Sequence, residues 1–237
     1  MTGKRFFGKG LPKVNLSQTK GKLVVIEGSD GSGRSTQIKL LHDWLEKMGY
    51  ATTMEVGLKR SELIGADLNK VKRGNNIGLT TLSLFYATDF ADQLEKKIVP
   101  ALNAGFVVLA DRYIFTLMAR AIVRGASPAW IREIYSIAIE PDLVFYLKTA
   151  PEILAERSFQ KSGALDYWES GMDIFPSADL YSSFLRYQKI VQKTLLGLGK
   201  EYKFVVINGN PPPDAVARQI SSRMEKLLAP GGAKHNA

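Results

Sequence analysis

The 237-residue sequence contains no cysteine and only two histidines, His42 and His235. Disulfides, zinc–thiolate sites and cysteine nucleophiles are thereby excluded. Two histidines this far apart cannot make a histidine-rich metal site; His42 falls on the polar side of a predicted helix and His235 in the C-terminal tail, both as solvated bystanders. No apolar run reaches the roughly 18 residues that would cross a bilayer. The basic N-terminus lacks the continuous apolar stretch of a signal peptide. The expectation is a cytoplasmic protein with no membrane partner. Repeats and linker-like compositions are missing too.

What is present is an ordinary globular composition, 45% hydrophobic, in a chain long enough to bury a sizeable core in one domain. The net charge of +9 raises the question of nucleic acid. Five of those charges, Lys4, Arg5, Lys9, Lys13 and Lys20, lie in the acid-free residues 1–21, which read as a flexible arm and leave +4 for the rest. No nucleic-acid module or aromatic–basic stripe accompanies the charge, so a pocket for phosphorylated small molecules explains it better than a DNA or RNA partner.

Taken in order, Lys22–Glu27 reads as a strand. A helix over 35–48 follows, with Ile38, Leu41, Leu45 and Met48 at three- and four-residue spacings and Gly49 to end it. A strand at 51–56 precedes a short helix from Ser61 to Val71 and a loop at 75–78. A long helical stretch over 79–103 is bent at Pro100. The strand 106–110 ends in Asp111-Arg112-Tyr113. Helices at 115–124 and 128–139 lead to a strand at 143–148, a helix from Pro151 to about Gln160, an aperiodic lid loop at about 158–177, and a helix at 178–198. A strand at 204–207, a helix at 214–228 and a flexible tail at 230–237 complete the chain. Five apolar strands without polar alternation, each followed by a helix, are those of a parallel sheet covered on both faces. Residues 22–229 therefore form a single α/β domain.

The chemistry is concentrated after the first strand. Gly28-Ser29-Asp30-Gly31-Ser32-Gly33-Arg34-Ser35-Thr36 follows the pattern G-x-x-x-x-G-K-[ST], with arginine at the lysine position. Gly28, Gly31 and Gly33 let the backbone turn so that successive N–H groups face phosphate oxygens, and the next helix adds the positive end of its dipole. Arg34 keeps the cation but is planar and bulkier than lysine. Ser35 supplies the hydroxyl that holds magnesium in such loops. Asp111, closing an apolar strand, is placed to orient the same Mg2+ or else to cap the next helix. Arg112 beside it is suited to hold a phosphate bidentately.

The loop, Asp111-Arg112-Tyr113, and the segment Pro141–Leu147 with Pro151-Glu152 resemble the thymidylate kinase family over residues 22–225. The resemblance implies a three-layer P-loop NTPase fold of the nucleoside monophosphate kinase kind, with ATP and Mg2+ and often a homodimer. It implies ATP-dependent phosphoryl transfer to a nucleoside monophosphate, dTMP by default. It assigns Asp30 to the acceptor sugar or the metal, Arg112 to the acceptor phosphate, Tyr86 to stacking on the acceptor base, and the lid cation to Arg157 or Lys161.

Departures from the family pattern gather on the acceptor side. Met54-Glu55-Val56-Gly57 lacks a phosphate-binding arginine for which Lys59 or Arg60 would compensate. Phe90 stands where an arginine reads the thymine edge. Leu117 replaces a small polar residue, Arg120 a tyrosine, and Asp166-Tyr167-Trp168-Glu169 the lid's Asp-Arg-x-Glu. Two readings of Arg120 and Arg124, one helical turn apart, stay open: recognition of a more anionic acceptor, or surface charge. The alternative function is a nucleotide-binding sensor or scaffold of the same fold without kinase activity.

Overall fold

The computed structural model describes residues 3–17, 19–64 and 77–229. Glu62–Ile64 form a turn; the rest of the helix expected up to Val71 lies outside the described residues, as do Asn75, Asn76 and the 230–237 tail. Five strands, β1 (Lys22–Gly28), β2 (Thr52–Gly57), β3 (Val107–Asp111), β4 (Leu143–Lys148) and β5 (Val205–Asn208), form one parallel sheet in the order β2-β3-β1-β4-β5. The register pairs Asp111 with Ile26 on one side and Gly57 on the other, so the carboxyl ends of β1, β2 and β3 finish together. Ligand crevices of open α/β sheets form outside those ends.

Leu23 to Ile26 are completely buried because alternate residues serve opposite faces. Val24 and Ile26, with Leu109, Phe145 and Leu147, pack under α1 (Arg34–Lys47) and α8 (Pro213–Leu228). Leu23 and Val25, with Val108, Ala110 and Tyr146, face α2 (Leu79–Gln93), α4 (Ile114–Val123) and α7 (Leu180–Glu201). Burying each such aliphatic side chain is worth about 1.5–3 kcal/mol, which makes β1 the anchor of the loop that follows it. The remaining helices are α3 (Val99–Asn103), α5 (Pro128–Ile134), which a tight turn extends only to Ile137 instead of 139, and α6 (Pro151–Ser162).

The bend near Pro100 takes a specific form. A widened π turn at Leu94–Ile98 separates α2 from α3. Pro100 has no N–H and its ring would strike the carbonyl four residues earlier, at Lys96, so the helix widens ahead of the proline.

The basic N-terminal stretch, expected as a free arm, lies against the body. Phe6 bridges to Ile139 in antiparallel fashion, and the N–H groups of Phe7 and Gly8 donate to the carbonyls of Ala138 and Ser136 at 2.9 Å each. Lys4 pairs with Asp142, and Arg5 and Lys9 pair with Glu140 and Glu133 at 2.6 Å. The apolar residues between the lysines explain the docking. Leu16 is buried in the core, and Phe7 presents its ring edge-on to Phe115 and Tyr202, centroids 6.1 and 5.2 Å apart. Phe7→Ala is expected to lower stability by on the order of 2 kcal/mol, seen as a lower urea midpoint with an unchanged slope.

Candidate active site

The loop between β1 and α1 is shaped by steric demands. Gly31 has φ +79°, and a Cβ there would come within 3.0 Å of the Leu154 carbonyl on α6. A side chain would thus meet both a strained backbone and a neighbouring helix. The Oγ atoms of Ser29 and Ser32 are buried with no hydrogen-bond partner among the described residues. Orphaned donors inside a glycine-rich turn at a helix N-terminus suit an anionic ligand.

Arg34 folds back into this loop. Its Nη1 donates to the carbonyls of Gly28, at 2.6 Å, and Ser29, and its Nε to Asp111 Oδ1 at 2.8 Å. Asp111 Oδ2 accepts from Ser35 Oγ at 2.9 Å. Burial opposes ionisation of Asp111, but Arg34 outweighs it and holds the carboxyl below its ordinary range.

Arg112 takes a left-handed backbone, φ 70°, which costs a non-glycine residue about 1–2 kcal/mol. The cause lies in Glu27, a fully buried acid at the end of β1. Its carboxyl accepts from the N–H of Tyr113 at 2.9 Å, the N–H of Thr116 at 3.2 Å and the Thr116 hydroxyl. Three such bonds at about 1 kcal/mol each outweigh the strain, and they tie the first turn of α4 to β1. The held turn directs Arg112 Nη2 onto Asp30 Oδ2 at 2.5 Å, where Arg120 Nη2 also arrives at 2.7 Å; Arg34 Nη2 lies 3.5 Å from Oδ1. Glu169, from the segment after α6, completes the cluster with a hydrogen bond to Asp30. Burial and the neighbouring Asp30 push Glu169 up to about 8. Asp30 is held well below the usual carboxylate range, burial being outweighed by Arg112, the Glu169 bond, Arg120 and Arg34. Glu169 thus carries the proton of the pair.

These groups line a cavity of about 280 Å³, walled also by Leu58, Lys59, Arg60, Tyr86 and Asp166. The loop Leu58–Arg60 is set by α2: Asp89 accepts from the N–H groups of Lys59 and Ser61 at 2.8 and 2.9 Å, and Gln93 Oε1 from the N–H of Gly57 at 3.0 Å. Lys59 and Arg60, expected as substitutes for a missing arginine, do border the cavity.

The structure therefore brings Asp30, Arg34, Asp111, Arg112, Tyr86 and Arg120 together. Arg157 stands apart on the outer side of the loop, its guanidinium 3.4 Å from the Gly31 carbonyl and 3.2 and 3.3 Å from those of Gly209 and Asn210. Lys161 is exposed one turn farther along α6, outside the cavity lining, and Thr36 is exposed in the first turn of α1. Phe90 does not face the cavity; it packs edge-on against Tyr113 and Tyr135, centroids 5.1 and 5.9 Å away. Neither Arg120 nor Arg124 is a surface charge. Arg124 is a strut: it pairs with Asp173 at 2.7 Å, donates to the Trp168 carbonyl at 3.0 Å and to the Tyr187 hydroxyl, and so pins the lid segment onto α4. Sequence reasoning missed Glu27 and Glu169 as working groups; an acid ending an otherwise apolar strand was the available signal for the first.

A family model described as thymidylate kinase matches residues 26–220. The chain belongs to the thymidylate kinase family. "Probable thymidylate kinase 2" of Saccharolobus solfataricus is 38% identical over 194 residues, 81% of this chain and 90% of the relative. "Probable thymidylate kinase" of Thermococcus kodakarensis is 35% identical over 218 residues, covering 86% and 98%. "Thymidylate kinase" of Caldicellulosiruptor saccharolyticus is 38% identical over 149 residues, covering 58% and 69%. Membership of the thymidylate kinase family accords with the five-stranded parallel sheet and with the loop that β1 presents.

The protonated Glu169 makes stability depend on pH in a definite sense. Its folded value lies above its unfolded one, so the folded state binds the extra proton and stability falls as pH rises from about 4.5 to about 8. Glu169→Gln is expected to flatten that slope and raise Tm at pH 8, by roughly 2–4 °C for each kcal/mol recovered; thermal melts at several pH values check it.

Proposed function

We propose that this protein transfers the γ-phosphoryl group of ATP to a nucleoside monophosphate, with dTMP the default acceptor. The observation that carries the reading is the shared cavity: the phosphate-loop side, Arg34 and Asp111, and the acceptor side, Arg112, Arg120, Asp30 and Tyr86, line the same space. In the transfer, the bond from the γ-phosphorus to the β,γ-bridging oxygen breaks and one to an acceptor phosphate oxygen forms. ADP leaves, and the charges of ATP and the dianionic acceptor equal those of the two diphosphates. Such reactions are catalysed mostly by positioning and charge stabilisation.

The loop N–H groups and the α1 dipole bind the donor phosphates. Arg112, held by Glu27, grips the acceptor phosphate, and Tyr86 stacks on its base. Ser35 Oγ and Asp111 Oδ2, 2.9 Å apart, are hard oxygen donors of the kind Mg2+ takes, and they would hold it where it neutralises charge between the phosphates. Arg34 already keeps Asp111 ionised. Arg157, next to Gly31 at the base of the lid segment, is better placed than Lys161 to add a cation to the donor side. We further propose a cytoplasmic homodimer, which light scattering would register as twice the chain mass; among the described residues no helix is long and apolar enough to cross a membrane.

A second reading, nucleotide binding without transfer, is favoured by one contact: the Arg34 guanidinium sits on Asp111, where it competes with the metal. Coupled ADP release over a panel of nucleoside monophosphates separates the two. The kinase reading expects acceptor-stimulated turnover that drops at least 100-fold in Arg34→Ala; ATP binding by calorimetry with no turnover for any acceptor would establish the second.

A further inference from the structure

The tight turn at Tyr135–Ile137 and the residues after it run outside the five strands, and residues 5–8 of the N-terminal stretch line up against them. Besides the bonds from Phe7 and Gly8, the N–H of Glu140 donates to the Arg5 carbonyl at 2.9 Å. Gly8 permits the close approach, since a Cβ there would stand 2.7 Å from Cβ of Ser136. Two side chains of the turn that carries Arg112 end on this layer. The Tyr113 hydroxyl donates to the Ile139 carbonyl at 3.0 Å, and Ile139 is the residue that Phe6 bridges. Phe115, completely buried, meets the Phe7 ring edge-on, and its own ring centroid lies 6.1 Å from that of Tyr113. Glu27 holds the same turn from inside the sheet, through the N–H groups of Tyr113 and Thr116. The left-handed Arg112 is thus braced from two sides.

We propose, resting on the kinase reading above, that the N-terminal stretch is a positioning strap for the acceptor phosphate, with Phe7 as its key residue. It braces the turn at 112–116 so that Arg112, and Arg120 on the helix that the turn begins, stand ready for the acceptor. A strained backbone conformation persists only where its surroundings over-determine it. Glu27 fixes two main-chain N–H groups of the turn, and the strap fixes the side chains of Tyr113 and Phe115 beside them. With the Phe7 ring removed, the turn samples arrangements in which Arg112 is misplaced, and apparent acceptor affinity falls in proportion to the fraction still competent. Donor binding is spared. The strap's contacts end on the first turn of α4 and on residues 136–140, whereas Arg34 and Ser35 open α1 and Asp111 is fixed in β3 by its pairing with Ile26 and Gly57.

The test is steady-state kinetics by ADP release on Phe7→Ala, Phe7→Leu and Met224→Ala, with ATP, magnesium and the nucleoside monophosphate that the unaltered protein uses best. Met224 is completely buried in the core on the opposite face of the sheet, so its truncation costs stability without touching the strap. Phe7→Ala is expected to raise the acceptor KM about tenfold while the ATP KM and kcat stay within about twofold. Phe7→Leu keeps most of the volume and is expected to raise the acceptor KM about threefold; should Phe7→Ala fail to fold, this variant alone decides. Met224→Ala is expected to leave both KM values within about twofold, since lost stability by itself removes no contact at the site. An acceptor KM unchanged in the Phe7 variants overturns the inference, as does an equal rise in both KM values or the same rise in Met224→Ala. Those results leave the kinase reading standing, whereas no turnover by the unaltered protein with any acceptor removes both.

Discussion

Asp30 pairs with Arg112 and accepts from Arg120 through the same oxygen and faces Arg34 with the other, and the site depends on that convergence. Two like charges about 4 Å apart at an effective dielectric of 20 repel by about 4 kcal/mol, so three guanidinium groups around one cavity require an anion between them. Asp30 supplies it in the protein alone. Phosphates bring several charges more, so their entry finds cations already assembled and needs only an exchange of partners. Glu169, by carrying a proton, donates to Asp30 without adding a second charge that would neutralise the arginines in advance.

The cluster is held in place by groups that never face it. Glu27 works from inside the sheet, where it binds the N-terminal turn of α4 and fixes the left-handed Arg112. Asp89 and Gln93 do the same for the loop after β2 through backbone N–H groups alone. Because these bonds reach main chain and not side chain, they do not depend on which side chains the loop carries. That is how Met54-Glu55-Val56-Gly57 and the loop after it still present Lys59 and Arg60 to the cavity despite the missing arginine.

The sheet and the phosphate loop were legible in the sequence because they rest on local rules. Apolar runs without alternation mark buried parallel strands, and glycines at fixed spacing after one of them mark the turn. Asp111 was legible for the same reason, as an acid ending such a strand. What escaped was set by contacts distant in the chain. Arg124 and Asp173 are 49 residues apart, and no spacing distinguishes a buried strut from a solvated charge. Phe90 was expected on the acceptor side, yet its ring is turned into the aromatic cluster with Tyr113 and Tyr135, and nothing in its place in the sequence tells which way a helical side chain faces.

The net charge reads differently once it is placed. In the N-terminal stretch, Lys4, Arg5 and Lys9 meet acids of the segment that enters β4 and of α5, so they fasten the segment instead of reaching for a polyanion. Arg34 and Arg112 are buried around the cavity, with Arg120 beside them and Arg124 nearly buried behind. Counterion release from nucleic acid needs accessible cations in a row, and these are enclosed. Burying a guanidinium costs several kcal/mol unless it is paired, so a chain that gathers four of them in one region must offer them carboxylates until a phosphorylated ligand arrives.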